Sequence, residues 1–232
     1  MGNRLVPVLA SSRLFGGLDH AMLEELAETV VVKRLVRGEL LWRTGEVASS
    51  FSSIRTGIVK IVRRTDGDDI IVSLFGPHET VGDVAAVERG AFPADAVAAS
   101  PEVEVLRVPA ELLLSRIKTD PKVAEAINRA LLDHTRALQE KISVMSAGSV
   151  HRRLATLLLG LLDRFGDELD DNTWTLPVAV SRAELAALIG ARVETTIRAI
   201  RSWEKRGLLE TLPDGFRFPS RQALVTEVQK AK

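Results

Sequence analysis

The first half of the chain carries the short β-branched and alternating apolar segments that are typical of strands. Residues 30–36, 58–62 and 70–74 are rich in valine and isoleucine, and residues 103–108 alternate between apolar and polar almost without exception. The pair Asp66-Gly67 stands between two of these segments and favours a tight hairpin turn, which needs positive φ. Short strands separated by turn signals at such intervals predict a compact antiparallel barrel or roll.

A short helix is predicted before the first strand, and a long one after the last. Asp19 stands near the start of the short helix, and its apolar residues share one face: Leu23, Leu26, Ala27 and Val30. After Pro121 the apolar residues recur at steps of three and four, and no glycine or proline follows until Gly148. A helix of about 25 residues would be about 38 Å long, which is enough to link two domains.

The apolar stripe of this long helix is narrow, as in a two-stranded coiled coil. Its members are Ala124, Ile127, Leu131, His134, Leu138 and Met145. We predict that the apolar members form the interface of a homodimer, through Ala124, Ile127, Leu131, Leu138 and Met145. The alternative is a core helix that packs on the roll of its own chain.

Residues 181–207 have the pattern of two short helices joined by a glycine turn. Ser181 and Glu184 have the spacing of a capping box, and Gly190 suits the left-handed turn residue. The first helix is expected to bury Leu185, Leu188 and Ile189, and the second to bury Val193, Ile197 and Ile200. Such a pair is a helix-turn-helix.

Turn signals on either side of this pair complete the predicted domain. An acidic loop over residues 167–172 is expected to precede it, and the Pro213-Asp214-Gly215 turn that follows predicts a hairpin, or wing.

Glu194 and Arg198 lie four residues apart and therefore project from one exposed face of the second helix. In a major groove, glutamate can accept from cytosine N4 or adenine N6, and arginine can donate to guanine O6 and N7. The alternative is an ordinary surface ion pair, which stabilises by only about 0.3–0.5 kcal/mol. Phosphate contacts are expected from the hydroxyl and basic side chains around the pair, namely Ser181, Arg182, Arg192, Thr195 and Arg201.

Composition narrows the function classes further. The 232 residues include 31 basic and 31 acidic side chains, which excludes a wholly basic nucleic-acid binder, but residues 180–207 hold six basic against three acidic. Cysteine is absent, which excludes disulfides, thiolate zinc sites and iron–sulfur clusters. No apolar stretch approaches the length of a bilayer span, so we expect a cytoplasmic protein with no membrane partner. No serine–histidine–aspartate set or P-loop is apparent, and we do not expect an enzyme.

A roll, a long helix and a winged helix-turn-helix, in that order, resemble the superfamily of the cyclic-AMP receptor protein and the fumarate–nitrate reduction regulator. The resemblance implies an α+β chain. Residues 1–120 would be an antiparallel, cyclic-nucleotide-binding-like β-roll (a double-stranded β-helix) that senses an effector, residues 121–147 a dimerisation helix, and residues 148–232 the winged helix-turn-helix DNA-binding domain. It also implies a homodimer that binds a palindromic promoter site in double-stranded DNA, contacts RNA polymerase and responds to a small effector.

The residues that read DNA in this superfamily have counterparts here. Glu194 and Arg198 match its base-reading glutamate and arginine. Val193 stands where many members have a further arginine, as in the oxygen-regulator branch, so the resemblance implies a half-site closer to TTGAT than to TGTGA. The serine typical of that branch is Ile197 in this chain.

The effector site departs from the family pattern. Gly82-Asp83 is similar to the Gly-Glu that opens the phosphate-binding cassette, and Asp83 could accept from a ribose hydroxyl. The phosphate-binding Arg-Ser pair falls at Pro93-Ala94, where proline lacks an N–H and alanine has no polar side chain. The adenine-contacting Thr-Ser of the long helix is replaced by Leu138 and Gln139. These departures argue against cyclic AMP.

Other effectors stay open at this point. His78 and His134 are candidates for the axial ligands of a haem, as in gas-sensing relatives. An apolar or another anionic metabolite is a second alternative. A third is a degenerate sensor without a ligand, on a protein that binds DNA constitutively.

Overall fold

The computed structural model describes residues 4–64, 70–170 and 172–229. Within these ranges the chain divides into two compact units, and each is described by itself. The first unit takes residues 4–64 and 74–136, and the second takes residues 70–73, 137–170 and 172–229. The hairpin turn predicted at Asp66 and Gly67 lies outside the described residues.

The elements of the N-terminal half are mostly strands. In chain order they are α1 Val6–Ala10, α2 His20–Thr29, β1 Val31–Val36, β2 Leu40–Trp42, β3 Ser50–Thr56, β4 Val59–Arg63, β5 Ile70–Phe75, β6 Thr80–Val81, α3 Asp83–Val87, β7 Asp95–Ala98, β8 Glu102–Pro109 and α4 Ala110–Leu114. The C-terminal half begins with the long helix and is mostly helical. It contains α5 Pro121–Ser146, α6 Val150–Phe165, β9 Asp167–Asp170, β10 Thr173–Leu176, α7 Arg182–Ile189, α8 Val193–Lys205, β11 Glu210–Leu212, β12 Gly215–Phe218 and α9 Arg221–Gln229.

The strands β1 to β8 form two sheets, with strand orders β1-β8-β3-β6 and β2-β7-β4-β5. The pairs β1–β8, β3–β8 and β4–β7 are antiparallel. Buried side chains from both sheets share one core, among them Phe51, Val59, Ala96 and Leu106. The predicted α+β class and antiparallel roll are therefore confirmed.

Helices pack on this roll through apolar faces. The carboxylate of Asp19 caps α2 by accepting from the backbone N–H of Met22 at 2.9 Å. The helix α1, which was not predicted, contributes Val6 to the same core. The first three turns of α5 also enter it, with the buried side chains Val123, Ala126, Ile127 and Ala130.

Two groups of apolar residues on α5 therefore have different surroundings. Ile127, which was expected at a dimer interface, is only 2% exposed and lies in the core of its own chain, while Ala124 is half-buried. Farther along, several large apolar side chains of α5 are exposed: Leu132 at 57%, Leu138 at 46%, Ile142 at 64% and Met145 at 45%. The start of the helix thus follows the core-helix alternative, whereas its later turns leave an apolar surface uncovered.

The second unit packs helices on a sheet with the order β11-β12-β10-β9. The expectation of an acidic loop over residues 167–172 was wrong for residues 167–170, which form the edge strand β9 and pair with β10. All four side chains of β9 are exposed, so no alternation of buried and exposed positions marked it as a strand. Among the described residues, none of the helices combines the length and the apolar character of a membrane span.

Candidate nucleic-acid interface and sensor site

The start of α7 has the capping geometry that its sequence predicts. The backbone N–H of Glu184 donates to the Ser181 hydroxyl at 3.1 Å, and the backbone N–H of Ser181 donates to the Glu184 carboxylate at 2.7 Å. The helix ends at Gly190, whose φ of +59° and ψ of 47° are left-handed. This geometry fixes the turn that leads from α7 into α8.

The buried face of α8 differs from the predicted one. Its buried residues are Thr196, Ala199, Ile200 and Trp203. Val193 is 37% exposed and Ile197 is only half-buried, so the expected burial of Val193 was wrong. Thr196 can enter the core because its hydroxyl donates to the Arg192 carbonyl at 3.1 Å, which satisfies its polar group.

This orientation of α8 exposes the two side chains predicted to read bases. Glu194 and Arg198 are both exposed on the helix surface. Among the described residues neither side chain has a hydrogen-bond or ion-pair partner, so the alternative of a surface ion pair is not realised. Their acceptor and donor groups are open to an outside partner. Val193, one residue before Glu194, shares this exposed surface.

The five side chains expected to contact phosphates differ in exposure and in whether they already have a partner within the chain. Arg192 and Arg201 are exposed and have no ion-pair partner among the described residues. Thr195 is half-buried, and the hydroxyl of Ser181 is used by the cap of α7. The exposed arginines therefore provide the local positive charge at the start and on the outer face of α8.

Arg182 has a structural role instead. Its Nη2 donates to the Thr211 hydroxyl and lies 3.4 Å from Glu204 Oε1, and its guanidinium carbon is 5.4 Å from the centre of the Phe216 ring. Burial lowers the pKa of Arg182, and the charge of Glu204 opposes this shift. These contacts join α7 to α8 and to both strands of the wing.

The wing is the predicted hairpin of β11 and β12. Leu212 pairs with Gly215, which leaves Pro213 and Asp214 as a two-residue turn. Phe216 and Phe218 are buried, while Arg217 between them is exposed and lies 3.8 Å from Glu210. The wing thus adds an exposed arginine to the same domain. The alternation in Phe216–Arg217–Phe218 could have indicated that Arg217 is exposed.

A cationic cap at the end of α7 was not predicted. Lys141 Nζ donates to the Leu188 carbonyl at 2.6 Å, and Arg153 Nη1 donates to the carbonyls of Ile189 at 2.7 Å and Gly190 at 3.1 Å. Burial lowers the pKa of Lys141. Cations favour a helix C-terminus because its carbonyls carry partial negative charge. The lysine and the arginine lie far from α7 in sequence, so only folding brings them there.

In the first unit, the predicted cassette begins with a tight aromatic contact. Gly82 has a φ of +81°, and a Cβ at this position would lie 2.7 Å from Phe92 Cε1. Phe92 stacks on Trp42 with ring centres 4.0 Å apart, and Trp42 Nε1 donates to the Ala94 carbonyl at 3.0 Å. The structure therefore brings the two ends of the cassette, Gly82 and Ala94, to the same pair of rings.

Asp83 is a buried carboxyl with few donors. Its Oδ2 accepts from the Thr80 hydroxyl at 2.6 Å, and its Oδ1 has no hydrogen-bond partner among the described residues. Burial raises the pKa of Asp83 from 3.8 to about 7, and the charge of Asp133 on α5 raises it as well, whereas the bond from Thr80 lowers it.

The positions expected to hold a phosphate carry no cation. Pro93 is exposed, and Ala94 is buried. The next residue, Asp95, is a buried carboxylate that accepts from the Thr44 N–H at 2.7 Å and from Arg64 Nε at 2.8 Å. The one arginine in these contacts is therefore paired with Asp95 and is not free for a phosphate.

The histidines and the long-helix positions lie in different settings. His78 Nδ1 is 3.1 Å from the Ser11 hydroxyl, next to α1. His134 is exposed on α5. Leu138 and Gln139 are exposed as well, in the part of α5 that belongs to the second unit. No contact brings the two histidines to a common partner among the described residues.

Comparison with known proteins agrees with this architecture. Residues 32–120 match the cyclic nucleotide-binding domain family, and residues 152–226 match the Crp-like helix-turn-helix domain family. The transcriptional activator protein FnrA of Stutzerimonas stutzeri is 30% identical over 185 residues, which cover 78% of this chain and 74% of the relative. A CRP-like cAMP-activated global transcriptional regulator of Mycobacterium tuberculosis is 26% identical over 201 residues, or 86% of this chain and 89% of the relative.

A solved structure shows the same fold. FixK2 from Bradyrhizobium japonicum superposes with a TM-score of 0.74 at 20% identity, covering 88% of this chain and 99% of that one. The order of roll, long helix and winged helix-turn-helix, the two family matches and the 30% identical relative agree with one another. This chain belongs to the CRP/FNR superfamily of transcription regulators.

Proposed function

We propose that the protein is a homodimer that reads a palindromic promoter site with one α8 helix in each half-site. The observation that carries this proposal is the exposure of Glu194 and Arg198 without partners on a helix whose opposite face is buried. Unpaired acceptor and donor groups on one helix face are what a major groove requires for direct readout of base edges. Arg192 and Arg201 would hold the helix on the phosphates, and RNA polymerase would be the partner in transcription.

The dimer would form along α5. Leu131, Thr135, Leu138, Ile142 and Met145 follow one another at steps of four, three, four and three residues, which is a heptad seam. Leu131 is half-buried, and the three apolar residues after it are exposed. A second copy of the helix would cover this stripe. Ala124 and Ile127 were expected in the same interface. This proposal assigns Ile142 to the interface instead, because Ile127 lies in the core of its own chain.

The effector would be a small molecule other than cyclic AMP. Neither Pro93 nor Ala94 offers a donor side chain to a cyclic phosphate, and the nearby cation Arg64 is already bound to Asp95. We expect cyclic AMP at millimolar concentration to leave the melting temperature unchanged; a clear rise would contradict this part of the proposal.

Arg198→Ala tests base readout directly. A DNA fragment selected from a random library by the wild-type dimer serves as the specific site, and a shuffled fragment as the non-specific one. Loss of a bidentate arginine–guanine contact should weaken binding to the selected site by about 1–3 kcal/mol and leave binding to the shuffled fragment nearly unchanged.

Arg201→Ala is the matched control on the same helix. As a phosphate contact, Arg201 should contribute equally to both fragments, and its loss should reduce the salt dependence of binding. If Arg198→Ala weakened binding to both fragments equally, Arg198 would not be a base-reading residue. A half-site with no resemblance to TTGAT would contradict the expectation attached to Val193.

A further inference from the structure

The first unit contains a cavity that the cassette residues do not line. Its volume is about 330 Å³, and it is lined by the first helix with its following turn, by β3, and by His78 and Leu106. Pockets that bind small molecules in proteins commonly hold about 300–1,000 Å³. None of Gly82, Asp83, Pro93 and Ala94 is among the lining residues.

Two features at this cavity are unexplained by packing of the roll. The hydroxyl oxygen of Ser12, a lining residue that is 3% exposed, is buried and has no hydrogen-bond partner among the described residues. A buried hydroxyl without a partner costs free energy. His78 has a φ of +69°, a strained conformation for a residue with a side chain, and such strain clusters at ligand sites.

The lining combines an apolar wall with hydroxyl groups. The apolar residues are Pro7, Val8, Ile54 and Leu106, and the hydroxyl-bearing residues are Ser11, Ser12, Ser53 and Thr56. The remaining lining residues are Arg55 and His78, so the lining, all of it described, contains one arginine and no carboxylate. A ligand that suits these walls has an aliphatic part and a negative or strongly accepting end.

Arg55 has capacity for such an acceptor. Its Nη1 donates to Glu104 Oε1 at 2.6 Å, and Arg34 Nε donates to the other oxygen of Glu104 at 2.9 Å. Because two arginines share one carboxylate, the group of three carries a net positive charge. A guanidinium has five N–H donors, and the contact with Glu104 leaves the others for a further acceptor.

We propose that this cavity binds a small aliphatic carboxylate, with the carboxylate group on Arg55 and the hydroxyls of Ser12 and Ser53 and the chain against Pro7, Val8, Ile54 and Leu106. The site is separate from the cassette and does not depend on the DNA-binding role proposed for α8. It gives the roll a second place at which a metabolite can bind.

Octanoate is the probe for this site, and isothermal titration of the full-length protein is the measurement. We expect saturable binding by the wild type and weaker binding of 1-octanol, which has the same chain without the charge. Arg55→Gln should weaken octanoate binding by about tenfold or more, because a charge-assisted hydrogen bond is lost. Arg34→Gln is the comparison variant: it leaves the lining intact but also lowers the net charge of the group, so it should weaken octanoate binding less than Arg55→Gln does.

Val8→Phe tests the volume independently of the charge. The larger ring at the half-buried rim should block octanoate while circular dichroism and the melting temperature stay close to those of the wild type. Absence of octanoate binding by the wild type, or equal binding by Arg55→Gln and Arg34→Gln, would overturn the proposal. So would undiminished binding by a folded Val8→Phe protein.

Discussion

Two buried aspartates of the roll show how the number of hydrogen-bond donors decides whether a carboxyl group is ionised. The Thr44 backbone N–H and hydroxyl and Arg64 hold the pKa of Asp95 below its usual value, although burial opposes them. Asp83 has only the Thr80 hydroxyl as a donor, and burial raises its pKa to about 7. The same residue type is thus held ionised at one position and is close to half-protonated at neutral pH at the other.

The raised pKa of Asp83 predicts an unusual dependence of stability on pH. Between 3.8 and about 7 the carboxyl is protonated in the folded protein and ionised in the unfolded chain, so folding takes up a proton. The contribution of Asp83 to stability is therefore lost as pH rises through this window. Asp83→Asn does not titrate, so its melting temperature relative to wild type should rise between about pH 4 and pH 7 and level off above that.

Asp133→Asn gives the matched control for this titration. Removing the charge of Asp133 should bring the pKa of Asp83 closer to its usual value and make the loss of stability with pH smaller. Melting curves at several pH values check both variants. A difference between wild type and Asp83→Asn that does not change with pH would show that Asp83 is not protonated on folding.

At the scale of elements, the end of α7 depends on cations from other helices. Lys141 and Arg153 together donate to the carbonyls of Leu188, Ile189 and Gly190. Met145, one turn after Lys141, lies so close to Gly190 that a Cβ there would be 2.6 Å from its Cε. The turn between α7 and α8 is thus held by the last turns of α5, and its position sets the direction of the exposed face of α8.

Lys141→Met should destabilise this turn. It keeps the length of the apolar stem but removes a charged donor from the Leu188 carbonyl, and hydrogen bonds of charged groups contribute about 1.5–3 kcal/mol. Urea unfolding measures the change in the free energy of unfolding. Lys122→Met, on the exposed first turn of α5, is the control and should change it by no more than about 0.5 kcal/mol. If the two variants lowered the free energy of unfolding equally, Lys141 would not stabilise the end of α7.

For the whole molecule, the exposed stripe of α5 predicts the oligomeric state. Ile142→Asp or Leu138→Asp places a charge in the proposed seam, and either should convert the dimer to monomers because burying an unpaired charge is costly. Light scattering measures the mass. Gln139→Asp introduces the same charge beside the seam and should leave a dimer, while an unchanged dimer of Ile142→Asp would exclude this helix as the interface.

The sequence predicted those helices, strands and turns that depend on the spacing of residues along the chain. Residues 103–108 and the other β-branched segments indicated the strands of the roll, and the uninterrupted period after Pro121 indicated α5. Ser181, Glu184 and Gly190 marked α7 and its turn, because capping and left-handed turns involve neighbouring residues only. Edge strand β9 gave no such signal, since all its side chains face solvent.

By itself, then, the sequence determined the order of roll, long helix and winged helix-turn-helix, and the spacing that brings Glu194 and Arg198 to one face. Only the tertiary structure decided that Thr196 rather than Val193 enters the core, that Ile127 belongs to the roll, and that Arg182 is engaged by Glu204 and the wing. It also decided the cationic cap at the C-terminal end of α7 and the cavity beside β3. These features depend on contacts between residues far apart in the chain, which a local pattern of apolar and polar positions does not contain.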